Sequence, residues 1–281
     1  MQIPISISYT SDESKNRAIS FSESSGYPCV PDTEINTSLS LNYTNMYVEL
    51  CDREKDISIH IDFISGDLAH RQQYGGGRGQ SIAKAIGLKQ GIKPPTVLDA
   101  TAGLAKDAFV LACLGCPVTL VERSPVIVEL IKDAIDRAKE NEHFQSILKT
   151  GFNVISKSSI DYLTELHNKI TSDISEVVSP DIEHRDIEHP YVIYPDVIYL
   201  DPMYPDRKKS ASVKKNMQIL QALLGKDEDT EELLNIALKV ARRRVVVKRP
   251  KGADSLTNTK PTYQVNSKKT RYDIYIIQDK D

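Results

Sequence analysis

Asp201, Pro202, Met203 and Tyr204 close the stretch "VIYLDPMY". Residues of these types at this spacing suit one kind of chemistry. An exocyclic amine on a nucleobase is a weak nucleophile because its lone pair is delocalised into the ring. Acceptors that bond its N–H groups turn that lone pair toward an electrophile. The Asp201 carboxylate supplies one acceptor. The Pro202 carbonyl supplies a second, and proline's fixed φ holds it still. Tyr204 offers a ring on which an extruded base stacks. Asp201, Pro202 and Tyr204 are therefore the catalytic candidates. The four cysteines (Cys29, Cys51, Cys113 and Cys116) lie outside this clamp, which speaks against thiolate chemistry. The C-x-x-C pair at 113–116 falls where a helix ends and reads as structural.

Two more acids end predicted strands. "LDATAGLAKDAF" places Asp99 before a turn of small residues that opens a helix. Such a turn lets a ligand approach the backbone, and the helix start offers free N–H groups. Alanine and threonine replace glycines of the dinucleotide fingerprint, so a pyrophosphate is a poor guest and a nucleoside with a non-phosphate tail fits better. Glu122 ends the next strand, where a carboxylate accepts both ribose hydroxyls. Arg123 follows and can lie against an adenine face. Ser158 and Ser159, after the third strand, can bond an adenine edge. In this order the features read as a site for S-adenosylmethionine.

The elements that must position these residues alternate. Strands are predicted at 96–100, 118–122, 152–156, 197–201 and 244–249. Helices are predicted at 103–115, 125–141 and 230–241, and a hairpin near the end. Alternation of this kind implies an α/β, Rossmann-like fold with a doubly wound, mostly parallel sheet, whose ligands bind beyond the carboxyl ends of the strands. Residues 1–62 read as a small separate α/β subdomain with strands in "IPISISY", "MYVELCD" and "ISIHIDF" and, between the first two, mostly loop with one short helix. The main domain runs over 63–281. Residues 171–195, with the repeat "DIEHRDIEHP", read as a surface insertion. Its histidines, His184 and His189, reflect local duplication, and no metal site is expected.

A net charge of −3 argues against a surface that is basic all round, but the basic residues cluster. Lys239, Arg242, Arg243, Arg244, Lys248, Arg249 and Lys251 run without an intervening acid, and Arg207, Lys208, Lys209, Lys214 and Lys215 follow the clamp. This pattern suits a polyanion held on one side. Arg78, Arg207, Lys208, Lys209, Lys214, Lys215, Lys248 and Arg249 are the candidate nucleic-acid contacts, Arg78 from the glycine-rich "YGGGRGQ". No apolar run reaches the roughly 18 residues of a membrane span, and the opening residues do not read as a secretory signal. A soluble, cytoplasmic protein is expected.

Four blocks, "DFISGDLAHRQQYGGGRGQSIAKAIG", "LDATAGLAKDAFVLACLGC", "YLDPMYPDRKKSASVKK" and "RRVVVKRP", together resemble the RsmJ-type enzymes. These are S-adenosylmethionine-dependent methyltransferases acting on a guanine exocyclic amine in small-subunit (16S) ribosomal RNA. The resemblance covers roughly 63–170 and 196–277. It implies a class I methyltransferase fold with a small N-terminal extension. It also implies cofactor contacts at Lys106, Asp107, Glu122, Arg123, Ser158, Ser159 and Asp201, and 16S ribosomal RNA or the small subunit as partner. Met203 stands where many amino-methyltransferases carry a second proline, and Lys106 stands where an arginine is expected.

The residues alone leave alternatives open. An amine of another nucleic acid, DNA adenine included, would meet the same clamp, and methyl transfer compared across subunits, naked RNA and DNA separates these. A non-catalytic assembly factor would bind the cofactor without turnover. A nicotinamide dehydrogenase would need the missing glycine fingerprint.

Overall fold

The computed structural model describes residues 4–65, 77–177, 194–203, 215–225 and 229–278. Two sheets are built from consecutive parts of the chain. The first contains β1 (Ile5–Tyr9), β2 (Cys29–Pro31), β3 (Leu39–Tyr43), β4 (Val48–Asp52) and β5 (Ile57–Ile59). Their spatial order is β2-β1-β3-β4-β5, parallel around β1 and antiparallel from β3 onward. Between β1 and β2 runs α1 (Asp12–Ser25), opened by a capping box at Ser11 and closed by Gly26 in the left-handed region. The segment read from sequence as mostly loop thus holds a 14-residue helix and the central strand β3. The pattern of β3, "LSLNY", hid it: all five residues are buried, polar ones included, so no clean alternation marks the strand.

The second sheet has seven strands. After a short α2 (Ser81–Ala85) come β6 (Val97–Asp99), α3 (Lys106–Cys113), β7 (Val118–Glu122), α4 (Pro125–Ala138), α5 (Glu142–Thr150) and β8 (Phe152–Ser156). Then follow α6 (Ser159–Val177), β9 (Val197–Leu200), α7 (Lys215–Leu224), α8 (Thr230–Val240), β10 (Arg244–Pro250), β11 (Tyr263–Asn266) and β12 (Thr270–Ile276). The order is β11-β12-β10-β9-β6-β7-β8, and only β12 runs against the others. Pro125 at the start of α4 and Ser124 as its cap work as the sequence indicates. Three helices were not legible, α5, α7 and α6. The last of these extends into the stretch read as an insertion, whose residues 178–193 lie outside the described ones.

The two sheets share apolar core. One buried cluster runs from Ile5 and Leu41 in the first sheet through Phe63 and Phe109 to Tyr199 and Ile274 in the second. At the junction Phe63 stacks on Phe109 (ring centroids 4.8 Å apart) and Phe144 (5.4 Å) and meets Phe152 edge-on. Buried Asp133 of α4 adds polar ties. It accepts from Arg17 of α1 (2.7 Å), from Arg137 (2.8 Å) and from the Val48 N–H (3.1 Å). A second, smaller core lies between α6, α8 and the other face of the large sheet.

Candidate active site

In the large sheet β6 pairs with β7 on one side and β9 on the other. The chain leaves β6 in opposite directions at this point, which opens a crevice at the carboxyl ends. Asp99, Glu122 and Asp201 all reach it. With Lys106, Asp107 and Pro202 they line a cavity of about 320 Å³, within the size range of ligand sites. Met217, Leu220 and Leu224 of α7 and Leu233 of α8 form its apolar wall.

The turn after β6 is tightly specified. Asp99 accepts from the Thr101 N–H (3.0 Å), and the Thr101 hydroxyl accepts from the Asp201 N–H (2.6 Å). One threonine therefore ties the ends of β6 and β9 together. Gly103 sits at φ +49° and its N–H donates to Glu122 Oε2 (3.0 Å), while the Ser124 N–H donates to Oε1 (2.8 Å). Ala105, the residue before α3, is buried at φ +56°, a conformation that costs a non-glycine residue energy and persists where surrounding packing over-determines it. This turn presents backbone and a buried carboxylate to the cavity, as the sequence of small residues indicates.

Deeper in the crevice three acids meet one lysine. Lys248 Nζ lies 2.6 Å from Asp201 Oδ2 and 2.7 Å from Asp107 Oδ2. Asp107 Oδ2 also accepts from the buried Tyr199 hydroxyl at 2.7 Å. Burial pushes the Asp99 carboxyl up to about 7, opposed by the Thr101 N–H and reinforced by Asp107 and Asp201. Asp201 is raised to about 6: burial is the main cause, Lys248 pulls it down and Asp107 pushes it up. Its side chain is 37% exposed, toward the cavity that it lines. Burial alone would lower Lys248, but Asp201 and Asp107 outweigh it and the ammonium is held well above its ordinary value.

The remaining sequence candidates divide. Ser158, Ser159 and Arg123 line the same cavity. The Ser159 hydroxyl already donates to the Ala100 carbonyl (2.7 Å), and Arg123 pairs with Asp229 (2.8 Å). Met203 is half-buried and packs on the larger core, which explains an apolar residue in the place of a second proline. Arg78 donates to the Lys89 carbonyl. Its charge reaches Cys116, which precedes β7, so it stands at the amino edge of the sheet, opposite the cavity. Lys248 and Arg249 do not present themselves to phosphates as expected: Lys248 is locked between two carboxylates, and Arg249 is 6% exposed and donates to the Asp254 carbonyl. Tyr204, Arg207, Lys208, Lys209 and Lys214 lie outside the described residues, as does the side chain of Lys215.

The basic run 239–251 also proves not to be one patch. β10 spans it, so Arg242 and Arg243 emerge at the amino edge and Lys251 at the carboxyl edge. Beside Lys251 stand Lys268 and Lys269, exposed in the turn between β11 and β12; the Lys251 N–H donates to the Lys269 carbonyl. None of these three lysines makes an ion pair among the described residues. The reading of the sequence missed Lys268 and Lys269; "NSKKT" between two strand patterns was the signal.

Burial pushes both Cys113 and Cys116 up to about 12, which leaves little thiolate near neutrality. Among the described residues no group of His, Cys, Asp and Glu is placed to hold a metal ion, and no helix is long and apolar enough to cross a membrane.

Strand order, crevice and acid-ended strands define an α/β, Rossmann-like protein with a candidate ligand site at the β6–β9 switch point. A family profile described as "Putative SAM-dependent methyltransferase" matches residues 26–277. The chain is similar to the ribosomal RNA small subunit methyltransferase J of Colwellia psychrerythraea, 48% identical over 82% of this chain and 75% of that one. It is likewise similar to the protein of that name from Shewanella pealeana, 43% identical over 88% of each. The crystal structure of a SAM-dependent methyltransferase from Neisseria gonorrhoeae matches over 98% of both chains, with a TM-score of 0.68 and 28% identity. The chain belongs to this family of S-adenosylmethionine-dependent methyltransferases. Its cofactor is S-adenosylmethionine, and the site fits it: a glycine turn admits the ligand to the backbone and a buried carboxylate stands at the end of the second strand.

Proposed function

We propose that this protein methylates the N2 amine of a guanine in 16S ribosomal RNA. The observation that carries the reading is Asp201. It follows β9, lines the candidate cavity and precedes buried Pro202, which supports it as the acceptor for a base amine. The relatives' shared name supports RNA of the small subunit as substrate.

When bound, the cofactor supplies an electrophilic methyl group. The chain's residues do the rest. Glu122, which lines the cavity and is fixed by the Gly103 and Ser124 N–H groups, would accept the ribose hydroxyls. Lys106 and Asp107, at the start of α3, and Ser158, Ser159 and Arg123 line the same cavity and would hold the rest of the cofactor. Asp201 and the Pro202 carbonyl orient the amine, and Tyr204 stacks the guanine. The nitrogen bonds to the methyl carbon, the carbon–sulfur bond breaks with its electron pair left on sulfur, and the nitrogen sheds one proton to Asp201. No covalent intermediate on the protein is required. Lys251, Lys268 and Lys269 stand at the same edge for backbone phosphates.

Methyl transfer from labelled cofactor to small subunits, naked 16S RNA and DNA, each lacking the modification, tests this, with mass mapping of the product. One N2-methylguanine in 16S RNA is expected. Label in DNA adenine, or cofactor binding without transfer to any of the three, would overturn it. Replacing Lys251, Lys268 and Lys269 by alanine should flatten the salt dependence of RNA binding by about 0.7 log unit per log unit of salt for each phosphate that is no longer neutralised; an unchanged slope removes them from the interface.

A further inference from the structure

The lysine at the centre of the crevice has a place that sequence charge alone does not explain. Along "RVVVKRP" side chains alternate between faces. Val246 packs in the larger core and Val245 and Val247 in the smaller one. Lys248 therefore shares the Val246 face, on which α3 carries Asp107. A cation there is surrounded: Asp107 from α3, Asp201 after β9, and the charge of Asp99 from β6 within electrostatic reach. Tyr199 of β9 donates to Asp107, and Tyr272 of β12 stands near Tyr199. Lys106 at the start of α3 and Glu122 after β7 line the same cavity as Asp201. Lys248 engages Oδ2 of Asp201, and Oδ1 accepts no hydrogen bond among the described residues.

We propose that Lys248 is a positioning residue for methyl transfer: anchored on Asp107, it holds Oδ2 of Asp201 and keeps that carboxylate charged, so that Oδ1 is left to receive the substrate amine. This deepens the reading of Asp201 given above and rests on it. Asp107 fixes where the ammonium sits. It also competes for it, so that Asp201 keeps part of its basicity for the proton that the amine releases. The arrangement explains why a lysine occupies a strand position facing the core: its charge balances acids that burial would otherwise neutralise.

The test separates this from a merely structural role by sign. The carboxyl carbon of Asp201, assigned with Asp201→Asn, is titrated by ¹³C NMR in the cofactor-free protein. Lys248→Met should move its midpoint up by about one to three pH units, and Lys248→Arg should leave it closer to the wild type. Asp107→Asn should move it down, because the ammonium is then shared with one neighbouring carboxylate fewer. In methyl-transfer assays of the Lys248 variants the acid limb of the pH–rate profile should follow the same directions with the cofactor KM little changed. An unmoved midpoint in Lys248→Met, or an upward shift in Asp107→Asn, would overturn the proposal. Should Lys248→Met not fold, Lys248→Arg and Asp107→Asn carry the decision. Because the NMR titration needs no RNA, failure of the proposed substrate and failure of this inference are read separately.

Discussion

Two aspartates of this molecule, one buried and one half-buried, are both served by cations, and they differ in supply. Asp133, at the junction of the two sheets, takes Arg17, Arg137 and the Val48 N–H on its two oxygens. Asp201, at the crevice, shares one ammonium with Asp107 and has Asp99 close by. The first carboxylate is saturated: its lone pairs are committed and it joins three segments of chain. The second is undersupplied. Its pKa is raised to about 6 by burial and by neighbouring negative charge against the pull of Lys248, and one oxygen remains for a ligand. A buried carboxylate with every partner in place stabilises the fold, and one left short is available for chemistry.

Substitutions at the two sites should separate cleanly. Asp201→Ala should lower kcat for methyl transfer by at least about 100-fold, the scale for removing a preorganised polar group, while cofactor affinity and the melting temperature change little. An active variant would remove Asp201 from the mechanism and dissolve the contrast. Asp133→Ala should do the reverse. It strands a buried N–H and separates two arginines from their acid, so denaturant unfolding should show a loss of about 2–4 kcal/mol, with kcat per folded molecule preserved. A loss of activity without loss of stability would break the comparison from the other side.

Glu122 lines the same cavity and accepts from two backbone N–H groups. Glu122→Ala should weaken cofactor binding by about 1–3 kcal/mol in calorimetry; unchanged affinity would move the ribose elsewhere. The smallest effect concerns pH. The ionised form of Asp201 is the acceptor, so single-turnover transfer should fall as pH drops through about 6, up to tenfold per unit below it. The stability sign is opposite to that of an ordinary paired carboxylate. Asp99 and Asp201 bind protons more tightly folded than unfolded, so their contribution to stability declines as pH rises from about 4 toward 7. Asp99→Asn should reduce that slope; an unaltered slope would place the titration elsewhere.

Much of this architecture was legible. The five parallel strands, the helices after β6 and β7 and the closing hairpin follow from short apolar runs and periodic helices, and their alternation gives the sheet its type. The acids at strand ends were found because in such a sheet that edge is where ligands bind. Strand β3 escaped notice because every residue in it is buried, and α6 because its pattern ran into a polar repeat. Arg249 reads as a phosphate ligand in the sequence because a charge run does not reveal that the loop after β10 folds back over it.

The sequence by itself determined that acid-ended strands would meet at the carboxyl edge, with Asp201 and Pro202 at the end of one of them, because strand ends and turns are set by residues adjacent in the chain. Only the tertiary structure decided what surrounds Asp201. Asp107 and Lys248 are 141 residues apart, and Asp133 and Val48 are 85 apart. Sheet order brings the first pair together, and the docking of one sheet on the other brings the second. The same crossing sent the two ends of one basic run to opposite edges of the molecule, since a strand carries its charges across the sheet whatever their proximity along the chain.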